Sequence, residues 1–131
     1  MATQAAFAAT PHTEVSVVSA ANTNRDGTGT IVTILTPDAN GTRMERIQIK
    51  ATGTTTAGQL RLFVSADAGV TWRFHDEIAV AAIVPSATVQ SFEGSLTFGN
   101  VSFLALSSGQ RLGMSTHNAE SFHVTAIGAG I

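Results

Sequence analysis

Four histidines (His12, His75, His117 and His123) and the carboxylates Asp76, Glu77 and Glu93 are the side chains with the widest chemical range in this sequence. Metal ligation needs such groups to converge, and on one element that convergence shows as His-x-His or His-Glu-x-x-His spacing. Neither spacing occurs. A carboxylate pair for general acid–base work would need Asp76 or Glu77 beside Glu93, and nothing in the order of residues brings them together. The absence of cysteine excludes a thiolate zinc site, a disulfide framework and a cysteine nucleophile. There is no Gly-x-Ser-x-Gly elbow and no glycine loop suited to phosphate. These residues point away from catalysis, and no cofactor or metal is implied.

Arg43, Arg46, Lys50, Arg61 and Arg73 hold five of the seven basic residues. Arg46 and Lys50 alternate with Ile47 and Ile49, so on a strand they share the face turned from the core. If Arg61 and Arg73 lie on neighbouring strands they extend a modest basic stripe. Such a stripe either docks on an acidic protein surface or is a solvated outer face. His117, in a polar loop near Glu120, is a further candidate surface contact. Net charge is −2, which gives no nucleic-acid footprint.

Two short stretches resemble known devices. Residues 65–72 (SADAGVTW) match the Asp-box, Ser-x-Asp-x-Gly-x-Thr-Trp, familiar from several copies on sialidase propeller blades. One copy in a chain this short reads as a hairpin turn, with Asp67 accepting turn amides and Trp72 packing beneath. Carbohydrate contact is the alternative. Residues 22–27 (NTNRDG) resemble the opening of a calcium loop. The position that should supply a bidentate Glu is Thr33, so a solvated turn is expected.

The elements that position these residues are strands. Residues 42–66 contain two alternating runs. Ile47, Ile49 and Ala51 share one face of the first, and Leu60, Leu62 and Val64 one face of the second, with Arg61 and Ser65 opposite. Gly53 and Gly58 bracket the stretch between them, which predicts a hairpin and a central antiparallel pair. Further strands are expected over 13–20, 30–35, 72–80, 88–98, 101–106, 110–116 and 122–127. Residues 30–35 are apolar on both faces, which predicts burial on both sides or a subunit contact. Pro85 keeps 81–87 out of a central strand, and Asn40-Gly41 marks a tight turn. Strands this short and this closely spaced make an all-β chain, a single antiparallel β-sandwich of jelly-roll type over 13–131. Residues 1–12 form a short N-terminal arm, closed by Pro11, that packs on a neighbour through Phe7 or stays mobile.

At 131 residues the chain suits one domain. Charged residues make up only 12% against 44% hydrophobic, where about a quarter charged is usual. A surface of Thr, Ser, Ala, Gly, Asn and Gln is cheap to dehydrate, which predicts a subunit of an assembly. No apolar run is long enough to span a bilayer, and residues 1–10 lack the features of a secretory signal, so no membrane partner is expected.

Residues 39–58 (ANGTRMERIQIKATGTTTAG) and 115–122 (STHNAESF) are similar to segments of small virion proteins of tailed bacteriophages, a resemblance covering most of residues 30–127. It implies a structural role in the head or tail. Among such proteins, capsid decoration (cement) proteins are small, often β-sandwiched, commonly trimeric, and grip the major capsid protein with terminal arms. The expectation is therefore a non-enzymatic cement protein on the capsid surface, made in the host cytoplasm. The partners are major capsid protein and, as a homotrimer, the chain itself, with Phe7, Arg43, Arg46, Lys50, Arg61 and His117 as contacts. The rivals are a tail, neck or fibre adaptor, and a carbohydrate-binding module using Trp72, His117 and Asn118.

Overall fold

A computed structural model describes residues 10–98 and 104–131. Among the described residues nine strands follow in order: β1 (Thr10–Val18), β2 (Val32–Leu35), β3 (Thr42–Ala51), β4 (Gly58–Ser65), β5 (Arg73–Val80), β6 (Glu93–Thr97), β7 (Leu104–Leu106), β8 (Arg111–Thr116) and β9 (Phe122–Gly130). They form two antiparallel sheets. One has the order β1-β9-β3-β6, with β7 also paired to β3; the other runs β2-β8-β4-β5. The all-β sandwich expected from the alternating runs is what the chain forms. Every strand pair is antiparallel, and β6 and β7 lie end to end along one side of β3.

The expected central hairpin is not there. β3 and β4 sit in opposite sheets. Connector 52–57 crosses between them, with Thr55 bridged to Ile83 and Thr56 held by the Glu120 carboxylate. Two half-apolar strands can meet through side chains as well as through hydrogen bonds. Here Ile47 and Ile49 of β3 face Leu60 and Leu62 of β4 within one core, with Met44, Leu112, Met114, Phe122 and Val124. Such sheets pack about 10 Å apart, which six connecting residues span. Two boundaries also move. β1 begins at Thr10, so residues 10–12 of the expected arm join a sheet; the rest of the arm, with Phe7, lies outside the described residues. Only Glu93–Thr97 of the expected strand over 88–98 pairs, because Ser86 closes a local turn onto Thr88 and Val89.

The second sheet is covered on both faces. Leu60 and Leu62 face the core, yet Arg61 and Phe63 on the other side of β4 are also buried, Arg61 to 1% exposure. The cover is loop 19–31. Asn22 is its hub: its backbone NH donates to Thr116 O (2.8 Å), and its side-chain amide donates to Thr28 O (2.9 Å) and Thr30 O (3.0 Å). The stretch likened to a calcium loop is thus closed by an asparagine side chain. Beneath it, Arg61 Nη1 donates to Asn22 O (3.1 Å), and Nη2 donates to His117 Nδ1 (3.1 Å). Arg61 Nε lies 3.4 Å from a Glu77 oxygen that also accepts from Arg25 Nε in the loop (3.0 Å). Close packing here requires Gly113, whose added Cβ would come within 2.7 Å of both Ile31 and Trp72.

The Asp-box residues turn β4 into β5. Asp67 accepts from the Thr71 amide (2.7 Å) and the Ser65 hydroxyl (2.7 Å), while Gly69 NH donates to Ser65 Oγ (2.8 Å). Ala68 and Gly69 take the left-handed backbone the turn demands, at φ 59° and 90°. The hydrogen bonds from Thr71 and then Ser65 lower the Asp67 pKa to about 2.

Two predictions follow from these contacts. The depressed Asp67 stabilises the fold fully above about pH 4, where an unfolded carboxylate is ionised, and that contribution is lost as pH falls through about 2. Acid unfolding of the Asp67→Ala variant should therefore show a smaller stability difference from the parent at pH 2 than at pH 5. Arg61→Ala should destabilise by about 2–4 kcal/mol in denaturant unfolding, since it opens a cavity and strands the Asn22 carbonyl.

Candidate functional site

Placing the candidate contact residues on the two sheets separates them. Arg61 is under loop 19–31, so it cannot join a surface stripe, and the expected four-residue row does not exist. His117 is half-buried and accepts from Arg61, which gives it a structural partner. Arg73 lies exposed on β5, in the other sheet from Arg46 and Lys50. What remains together is Arg43, Arg46 and Lys50 on the outer face of β3. Their charge is partly answered in place. Arg46 donates to Gln48, Gln48 donates to Glu93 Oε1 (2.8 Å), and Lys50 donates to the Ser91 carbonyl (3.2 Å).

Strand register maps this outer face row by row. Val17, His123, Lys50 and Glu93 are aligned across β1, β9, β3 and β6; Val15, Thr125, Gln48 and Ser95 form the next row; Thr13, Ile127, Arg46 and Thr97 the next. The β3–β6 half is polar and internally hydrogen-bonded. The β1–β9 half carries no acidic or basic side chain apart from His123, and Val15 and Val17 are 71% and 52% exposed.

The edges differ as well. A free strand edge offers unpaired amides and carbonyls to any passing strand, and proteins blunt it with shortness, bulges, charge or proline. β2 has four residues and a register shift. β5 carries Arg73, His75, Asp76 and Glu77 and a bulge at its β4 pairing. The β6–β7 edge is two short strands. β1 is nine residues long and pairs with β9 without a shift. Its first half has Pro11 and the inward pair His12 and Glu14, but from Val15 to Val17 none of these devices is present. Among the described residues this is the least protected edge, and it borders the uncharged half of the face.

Composition predicts a surface cheap to dehydrate without giving its position. The strand expected over 13–20 carries Val15 and Val17 on one side, and the sequence does not say that this side is outward. The signal was thin: Thr13, Val15 and Val17 alternate with His12, Glu14 and Ser16, and the charged set is the one turned inward. The carbohydrate reading loses its platform. Trp72 is 9% exposed, and its ring packs against Gly113 and Gly69, leaving no open face for a sugar. Among the described residues no group of three His, Asp or Glu side chains converges to hold a metal, and no helix is long and apolar enough to cross a membrane.

No family model matches the chain, and no curated protein matches it. Among solved structures it is similar to a pentameric capsid protein isolated from metagenomic phage sequences, at 17% identity and a TM-score of 0.41, over 90% of this chain and 63% of that one. The chain thus spans less than two thirds of that protein's length.

Proposed function

We propose that this chain is a phage virion structural protein, and within that class a capsid decoration protein that binds the outer surface of the major capsid protein lattice and stabilises the head. It works without catalysis. The observation that carries the interaction half of this reading is the unprotected stretch of β1, where Val15 and Val17 stand exposed beside an uncharged sheet face. The virion half rests on the similarity of residues 39–58 and 115–122 to small tailed-phage virion proteins. With β6 and β7 taken as one interrupted strand, each sheet has four strand positions and the strand order is that of a jelly roll, a fold well suited to presenting a broad rigid face.

The mechanism is additive burial. Docking the β1–β9 half against lattice protein removes apolar surface from water at about 25 cal/mol per Å², and strand addition along β1 contributes main-chain hydrogen bonds and direction. Self-association, as a trimer, multiplies each contact by avidity. Arg43, Arg46, Lys50 and Phe7 are assigned to the same contact, the three cations orienting the encounter rather than supplying most of the affinity.

Cryo-electron microscopy of purified virions should place the protein on the outer shell in high copy number. The double variant Val15→Glu, Val17→Glu should fold with an unchanged thermal midpoint and bind shells at least about tenfold more weakly, equivalent to ~1.4 kcal/mol. Location in the tail alone, or undiminished binding by the folded variant, would overturn the reading.

A further inference from the structure

His12 sits between two carboxylates from different parts of the chain. Its Nε2 is 2.9 Å from Glu14 Oε1 and its Nδ1 is 2.9 Å from Asp38 Oδ2. The ring is 15% exposed. Both carboxylates have further partners. Glu14 accepts from the Thr36 amide through both oxygens (3.2 Å each). Asp38 Oδ2 accepts from the Thr42 hydroxyl (3.1 Å), and its backbone carbonyl accepts from the Gly41 amide (2.9 Å). Connection 36–41, between β2 and β3, is therefore tied to β1 at two points, directly by the Thr36 amide on Glu14 and, at Asp38, through this imidazole.

A neutral imidazole has one N–H and one lone pair. Facing two ionised carboxylates at hydrogen-bond distance, it would turn that lone pair toward an anion. The geometry is satisfied only when both nitrogens carry protons. We propose that His12 is a proton-operated clamp, which when charged fastens connection 36–41 to the start of β1 and when neutral lets that connection loosen. Beside it lies a pocket of about 230 Å³ lined by Thr10, Asp38, Ala39, Asn40, Gly130 and Ile131, so that Asp38 belongs to both.

The surroundings support the charged form. β9 presents Gly128 opposite His12, which contributes no side chain. β3 presents the Thr42 hydroxyl, 3.3 Å from Nδ1. Arg43, the next residue on β3, has its Nε 3.8 Å from Glu45, and Arg111 of β8 donates to the Ser108 and Gln110 carbonyls. Ile131 shares the pocket with Asp38. Burial disfavours the imidazolium, but the hydrogen bonds that it donates to Glu14 and Asp38 outweigh this and raise the His12 pKa above its ordinary value of 6.5. The clamp's contribution is therefore complete below the ordinary imidazole range and is lost as pH rises through the higher folded value. The inference does not depend on the proposed virion role.

Nuclear magnetic resonance of the full chain between about pH 5.5 and 8.5 tests it. The His12 ring signals should titrate with a midpoint above the ordinary value. The Thr36 and Gly41 amide signals should shift with that same midpoint, and their exchange protection, corrected for the intrinsic rate, should fall at least about threefold on deprotonation. In His12→Gln those amides should stop responding over the same range, and in Asp38→Asn the His12 midpoint should fall. A His12 midpoint at or below the ordinary value, or Thr36 and Gly41 signals that do not follow it, would overturn the clamp.

Discussion

The burial of one guanidinium sets the layering of this molecule. Arg61 lies on the outer side of β4, where a two-layer sandwich would have water, and water is kept from it by loop 19–31. A buried cation must be matched or it is strongly destabilising. The match comes from an Asn22 carbonyl, a His117 nitrogen and a Glu77 carboxylate shared with Arg25. Two of these three partners, Asn22 and Glu77, lie on the loop or on β5, and Arg25 of the loop shares Glu77, so the network fixes the loop as a third layer. Phe63 and Trp72 are buried beside it, and the exposed Phe74 lies at the margin with its ring centroid 5.6 Å from that of Phe63.

This layering makes the molecule two-sided. One sheet is closed on its outer face over β4 and β8 by its own chain, with short, charged or bulged edges. Among the described residues, the other has no cover over its outer face or along its longest edge. That asymmetry is why the β1–β9 half is a docking surface in our reading: association there costs little dehydration of charge, while association through the sealed sheet would first have to remove the Asn22 loop.

The sandwich itself was legible, because period-2 alternation over 42–51 and 58–65 survives any choice of partner. The pairing was not. Alternation says which side chains face a core but not whether the next strand lies beside or across from it, and the glycines at 53 and 58 fit a crossover as well as a turn. Arg61 misled for a related reason. It was grouped with Ser65 as an exposed face, although Phe63 stands between them on that same face. A large aromatic on a supposedly wet side was the available sign of a covering layer. The Asp-box was legible in full, since its hydrogen bonds are local. The His12 pairing with Asp38 joins positions 26 apart through a turn geometry that no spacing rule reports.

The low charge content acquires a different meaning in the folded chain. Many of the few ionisable groups are committed to internal ties: Arg25, Arg61 and Glu77 to the covering loop, Asp26 to Thr28, Asp67 to its turn, Glu120 to the crossover, His12 and its two carboxylates to connection 36–41. These ties hold loops, whose backbones lack the ladder bonds that hold strands, and loops are where an uncharged sandwich would otherwise open first. The surface is left with little charge, and so with little of the mutual repulsion that keeps small proteins apart. A chain built this way gains stability from its charges inside its own boundary and, in the role proposed above, leaves association to apolar and main-chain contacts.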